Sequence, residues 1–162
     1  MTGKHSSLSL SSKFTLVGAT AAAIAYGVRQ RRRLDFEGKI VVISGASRGL
    51  GLELARGFAK ERAHVVLLAR QREALTAAGR ELESSGVQVT LLQCDVTKEN
   101  EVRASIASTI SQLGRVDVLI NNAGMIQVGP VEHMKADDFA EAMAVHFWGP
   151  LYLMREVIPH MK

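Results

Sequence analysis

The chain has 162 residues, with 20 basic and 16 acidic side chains and a single cysteine, Cys94. That length allows one modest domain, and one cysteine excludes an internal disulfide, in keeping with a reducing compartment. Six of the basic residues (Lys4, Lys13, Arg29, Arg31, Arg32 and Arg33) and no acidic one precede Leu34, so from Leu34 onward 14 basic residues face 16 acidic ones. The basic excess belongs to the leader, and the rest of the chain offers no electrostatic case for nucleic acid.

Residues 1–13 are serine-rich and aperiodic and read as a disordered polar leader. Residues 14–28 are uncharged and largely apolar, closed by the basic run Arg29-Gln30-Arg31-Arg32-Arg33. As a helix at about 1.5 Å per residue this segment reaches about 22 Å, against roughly 30 Å of hydrocarbon core. Flanking arginines that snorkel and a locally thinned bilayer would still let it insert. The preferred reading of residues 14–33 is a membrane anchor with the following domain on the cytoplasmic side. Two rivals stand: an arginine-rich organelle transit peptide, or a cleaved signal or soluble tail, with Ala23-Ile24-Ala25 resembling a small-residue cleavage site.

After the linker Leu34–Gly38, strand and helix patterns alternate. Lys39–Ile43 is a β-branched run suited to a strand buried on both faces. It leads into Ser44-Gly45-Ala46-Ser47-Arg48-Gly49-Leu50-Gly51, then a helical pattern with Leu50, Leu54 and Phe58 on one side. Further strands are expected at His64–Ala69, Val87–Leu92 and Val116–Ile120. Helices are expected at Gln71–Ser84, at Lys98–Leu113 with Val102, Ile106 and Ile110 on one face, and from Lys135 to about Met161 with a break at Gly149-Pro150. This alternation predicts right-handed crossovers and a parallel sheet, an α/β doubly wound fold over residues 34–162.

In such a sheet a ligand lies beyond the C-terminal strand ends. The first strand delivers the glycine turn: Gly45 permits a tight turn, Gly49 removes a Cβ that would hold a pyrophosphate away, and Gly51 lets helix and strand pack closely. The second strand ends at Ala69-Arg70, where an NAD site would carry a carboxylate for the ribose hydroxyls. Arg70, with Arg48 in the glycine turn, suits a 2′-phosphate and points to NADP(H) over NAD(H), unless both are simply solvated surface arginines. Asp95, after the third strand, is placed to accept from an adenine amino group, or else to cap a helix, a task for which Thr97 is equally suited. Asn121-Asn122-Ala123-Gly124 ends the fourth strand with amides able to bridge strands and small residues that let a ring approach. No metal is implied.

Together these motifs resemble the short-chain dehydrogenase/reductase family. Ser44–Gly51 is similar to its T-G-x-x-x-G-x-G turn, with Ser44 in place of threonine; Cys94-Asp95-Val96 and Asn121–Gly124 match two further family motifs in order and at suitable separations. The resemblance covers Leu34 to the C-terminus. It implies an oxidoreductase acting on a small carbonyl or alcohol substrate, with Gly45, Ser47, Arg48, Gly49, Leu50, Gly51, Arg70, Asp95, Val96, Asn122, Ala123 and Gly124 around NADP(H). By the same likeness, Asn121 serves sheet integrity and the helix from Lys135 forms contacts in a homo-oligomer.

The departures concern catalysis. Ala144-Val145-His146-Phe147-Trp148-Gly149 resembles the region of a catalytic asparagine, placing His146 at that position, where it would keep a backbone role, add a titrating group, or simply pack. The family's Ser and Tyr-x-x-x-Lys are absent: the tyrosines are Tyr26 and Tyr152, and Glu156 stands four residues after Tyr152. His146 and Tyr152 are six residues apart, about 240° around an ideal helix at roughly 100° per residue, so they do not pair. The strands should order 3-2-1-4, leaving an apolar fourth strand at an edge without a protective lysine or proline. That predicts a fifth strand beside it and a chain that is the N-terminal, cofactor-binding part of a longer enzyme, inactive alone. The alternative is a non-catalytic, membrane-tethered nucleotide-binding or interaction protein.

Overall fold

The computed structural model describes residues 34–161. Their elements alternate as β1 (Ile40–Ser44), α1 (Gly49–Lys60), β2 (His64–Ala69), α2 (Arg72–Glu83), β3 (Val89–Gln93), α3 (Glu99–Leu113) and β4 (Val118–Ile120). A 3₁₀ turn (Val131–His133) leads to α4 (Ala136–Met143), a π-helical turn (Ala144–Trp148), α5 (Gly149–Val157) and a last 3₁₀ turn (Ile158–His160). The four strands are parallel in the order β3-β2-β1-β4. The candidate membrane segment, residues 14–28, lies outside the described residues; among those described, no helix is long and apolar enough to cross a membrane.

Both faces of the central strands are covered. Val41, Ile43, Val65 and Leu67 pack with Ala55 and Ala59 of α1 and Leu75, Ala78 and Leu82 of α2. Their neighbours Ile40, Val42, Val66 and Leu68 point the other way, onto Val102 and Ile106 of α3 and Leu153 and Val157 of α5. Period-two alternation therefore divides one apolar run between two cores, the reason β1 and β2 read as continuous hydrophobic sequence.

Three local expectations need correction. In α1 the buried stripe is Gly51, Ala55 and Ala59, flanked by Leu54 and Phe58, whereas Leu50 is 68% exposed. Small residues face the sheet because the helix lies close to it, and Leu50 is released to the strand-end surface. The interruption expected at Gly149-Pro150 is present but begins earlier, as the π turn Ala144–Trp148 that directly precedes them, so the regular helix resumes at α5 with Pro150 in its first turn. Finally, β4 begins at Val118 rather than Val116.

Asp117 explains the late start of β4. Its carboxylate accepts from the Ile40 N–H at 2.9 Å, from Lys39 Nζ at 3.2 Å and from Arg115 Nε at 2.9 Å, with its side chain only 7% exposed. The residue before it, Val116, forms a parallel bridge with Met161 on the outer side of β4. Burial pushes the Asp117 carboxyl up, but the Ile40 N–H, Arg115 and Lys39 outweigh it and hold the group down to about 2. A depressed carboxylate contributes stability that is fully present above its unfolded value of 3.8 and lost as pH falls towards 2. Asp117→Asn is therefore expected to cost on the order of 2 kcal/mol at pH 7, by urea unfolding, and close to nothing near pH 2.

Candidate functional site

The first turn of α1 is built to leave amides unclaimed. Its N-cap, Arg48, is extended and contributes no side-chain cap, and the turn carries no acidic residue. The leading N–H groups and the positive end of the helix dipole thus face outward, ready for an anion. Gly45 holds φ +66°, and a Cβ there would lie 2.8 Å from the Ala123 Cα. A Cβ at Gly51 would collide with the Gly45 carbonyl oxygen and sit 2.5 Å from the Asn122 amide nitrogen. At Gly49, by contrast, a Cβ would meet open space. The turn is pressed against the end of β4 on one side and open on the other.

Ser44 and Asn122 hold it there. The buried Ser44 hydroxyl donates to the Ile120 carbonyl at 3.3 Å and accepts from the N–H groups of Asn122 and Ala123, both at 3.0 Å. Asn122 Nδ2 donates in return to the carbonyls of Ser44 (3.0 Å) and Gly45 (3.2 Å). The bridging amide is thus Asn122, not Asn121, which is exposed.

Over this turn lies a cleft of about 810 Å³, beyond the C-terminal ends of the strands and spanning the gap between β1 and β4, where the order of the sheet reverses. Of the residues singled out from sequence, Gly45, Ser47, Arg48, Gly49, Leu50, Arg70, Asp95, Val96, Asn122, Ala123, Gly124 and His146 all line it. Gly51 is the exception, buried beneath the turn as a packing residue. The cleft also takes in Ala69, Gln71, Cys94, Met125, Ile126 and Val145. Val145 precedes His146 in the π turn and is invisible to a helical-wheel reading; Ile126, 90% exposed, sits in a loop with no periodicity to mark it.

The cleft is lined by the charged side chains of Arg48, Arg70 and Asp95. Neither Arg48 nor Arg70 has a side-chain hydrogen bond or ion pair among the described residues; of the other arginines, Arg80, exposed on α2 outside the cleft, also has none, while Arg56, Arg62, Arg72, Arg103, Arg115 and Arg155 all have partners. Arg70 instead offers its carbonyl to Gln93 Nε2 at 3.0 Å, which anchors its backbone at the end of β2. Asp95 spends one oxygen on Thr97, accepting from its N–H at 3.0 Å and its hydroxyl at 2.8 Å, and keeps the other oxygen available. It does not cap α3, whose N-cap is Lys98. Burial raises the Cys94 thiol, opposed by Ser105 and helped by the nearby carboxylates of Glu101 and Asp95. A second cavity of about 670 Å³ lies at the other ends of the strands, lined by the last residues of α1 and α2. That is the negative end of both helix dipoles, with Arg56, Lys60, Arg62 and Glu81 in its wall.

His146 closes the cleft at the β4 side, its Nε2 2.8 Å from the Met125 carbonyl oxygen. Tyr152 stacks on Trp148 with ring centroids 6.1 Å apart and does not line the cleft, so no His146–Tyr152 pair forms.

A parallel sheet wound in this order, with a glycine turn feeding an uncapped helix beneath a strand-end cleft, defines a dinucleotide-type Rossmann domain. The profile of the short chain dehydrogenase family matches residues 39–162, and the chain belongs to that family. It is 37% identical over 130 residues to an 11-beta-hydroxysteroid dehydrogenase of Pinus massoniana, covering 79% of this chain and 36% of that protein. Among solved structures it resembles L-sorbose reductase from Gluconobacter frateurii complexed with NADPH and L-sorbose, with a TM-score of 0.75 and 36% identity over 79% of this chain and 50% of that one. It also resembles a short chain dehydrogenase/reductase from Burkholderia phymatum in complex with NAD, with a TM-score of 0.77 and 29% identity over 80% of this chain and 46% of that one. The chain spans between about a third and a half of the length of the curated relatives it matches.

Proposed function

We propose that this protein works as an NADP(H)-dependent oxidoreductase on a small carbonyl or alcohol substrate, with the described residues supplying the cofactor site. The observation that carries the reading is the pair of unpartnered arginines, Arg48 and Arg70, beside the glycine turn. Since relatives of this fold are found with NADPH and with NAD alike, the fold leaves the choice to local charge. Where an NAD site needs a carboxylate for the ribose hydroxyls, β2 ends in Ala69-Arg70. Two free guanidiniums attract a 2′-phosphate and leave bare ribose hydroxyls without an acceptor.

In this reading the α1 N-terminus binds the pyrophosphate, the free oxygen of Asp95 takes the adenine amino group, and Ala123 and Gly124 give room to the second nucleotide. The bound cofactor would supply hydride transfer at that second end of the cleft. Tyr152, the one tyrosine among the described residues, is stacked on Trp148 and does not line the cleft to donate the proton that a reduced carbonyl needs. This chain alone is therefore read as binding cofactor without turnover. A homo-oligomer fits the apolar side chains Phe139, Met143 and Phe147, which are exposed along α4 and the π turn.

Titrating the full chain with NADPH and NADH, followed by nicotinamide fluorescence, tests the reading. Saturable NADPH binding at least about tenfold tighter than NADH binding is expected, on the scale of one charge-assisted contact. Tighter NADH binding would overturn it.

A further inference from the structure

Arg70 lies between the end of β2 and the start of α2, exposed and on the cleft, and the N-cap that follows it, Gln71, makes no side-chain cap. A guanidinium in such a place is only as well aimed as its own backbone. A small rotation of the peptide is magnified along a long side chain that already has rotamer freedom to lose.

The tie on that backbone comes from the neighbouring strand. β2 and β3 pair as far as Ala69 and Gln93, and the Cys94 N–H donates to the Ala69 carbonyl at 3.0 Å. One residue beyond the pairing, Gln93 Nε2 donates to the Arg70 carbonyl at 3.0 Å. The other end of the same amide is used as well: Gln93 Oε1 accepts from Arg72 Nε at 3.2 Å. A carbonyl only accepts and a guanidinium only donates, so the two contacts together fix which way the amide faces.

Gln93 is exposed on an edge strand and does not line the cleft, and Arg72 lies outside the cleft lining too. One side chain thus sorts two arginines that stand two residues apart. It ties down the Arg70 backbone while leaving that guanidinium free for the cleft, and it occupies the guanidinium of Arg72. Arg72 is the first residue of α2, at the positive end of the helix dipole, where a cation is disfavoured and an amide oxygen offsets the charge.

We propose that Gln93 is a positioning residue for cofactor choice: by holding the Arg70 carbonyl from β3, it fixes the backbone from which the Arg70 guanidinium reaches the 2′-phosphate. The proposal rests on the NADP(H) reading of the cleft and adds a residue that touches no part of the ligand. Its effect should therefore show in the preference between two cofactors and vanish when Arg70 is absent.

NADPH and NADH titrations of the full chain and four variants test it. Gln93→Met keeps the length of the side chain and removes both hydrogen bonds; Arg72→Met removes only the second of them. Gln93→Met should weaken NADPH binding by about three- to tenfold, the scale of one neutral hydrogen bond, and leave NADH affinity within about twofold of the parent. Arg72→Met should leave both affinities within about twofold. Added to Arg70→Ala, Gln93→Met should cost less than about a further twofold in NADPH affinity, because two residues acting through one contact are not additive. Unchanged NADPH binding in Gln93→Met, equal loss of both cofactors, the same loss in Arg72→Met, or a full additive loss in the double variant would each overturn the proposal and leave the NADP(H) reading standing. A parent chain with no preference for NADPH would overturn that reading and the proposal with it.

Discussion

Replacing Gly51 with alanine is expected to cost about 1–3 kcal/mol in unfolding free energy, the usual scale for a methyl forced into a filled site, and to lower NADPH affinity by more than tenfold. The added Cβ would run into the Gly45 carbonyl oxygen and the Asn122 amide, both backed by hydrogen bonds. Relief requires moving either the turn from β4 or the helix from the turn. Both movements displace the α1 amides that face the cleft, so stability and ligand affinity should fall together. Urea unfolding and NADPH titration on the same preparation check this. Gly49→Ala makes a useful contrast: its Cβ meets open space, so its cost comes from φ +57° and from whatever ligand occupies that space. A Gly51→Ala chain that unfolds and binds like the parent would show that the close contact is not needed.

The second large effect belongs to the arginines. Arg48→Ala and Arg70→Ala should each reduce NADPH affinity by about tenfold to a hundredfold, the range of a lost charge-assisted hydrogen bond, and leave NADH affinity nearly unchanged. The double variant should lose most discrimination between the two cofactors. Because neither guanidinium has a partner among the described residues, the substitutions break no internal bond, and unfolding should move little. If NADH binding fell as much as NADPH binding, the arginines would be serving the pyrophosphate or the fold, not the 2′-phosphate. Raising the salt concentration should weaken NADPH binding more steeply than NADH binding for the same reason.

What could be read from the chain divides along physical lines. The strand order was legible because Ile40–Ile43 and His64–Ala69 are apolar at every position bar His64, and only strands covered on both faces look like that. The α3 face was legible because Val102 and Ile106 point into a single core at helical spacing. The glycine turn was legible because its conformation demands glycine. Leu50 misled because hydrophobicity was taken for burial, when α1 lies so near the sheet that alanine and glycine fill the contact. Asn121 and Asn122 are chemically identical, and only the path of the backbone beyond β4 decides which one reaches β1. The break at Gly149-Pro150 was legible, but its form as a π turn over Ala144–Trp148 was not; there Val96 presses so closely on Gly149 that a Cβ would lie 2.9 Å from it. Asp117, inside the run read as an apolar strand, is the buried carboxylate that joins the starts of β1 and β4, a role that only its partners in three dimensions reveal.

Among the cleft residues, those that arrive on the ends of strands could be placed by counting, since a regular strand brings its last residue to a known edge. Met125, Ile126 and Val145 could not, because their positions depend on how a non-repetitive loop and a distorted helix meet. His146 lies between these cases. Its alignment with the family's asparagine drew attention to it, but its bond to Met125 across 21 residues of chain exists only in three dimensions.

A crystal structure of the full chain grown with NADP⁺ tests the central claim most directly. The account predicts the pyrophosphate over the first turn of α1, the 2′-phosphate within hydrogen-bonding distance of Arg48 and Arg70, and the nicotinamide beside Gly124. A dinucleotide bound elsewhere, or a 2′-phosphate that contacts neither arginine, would contradict it.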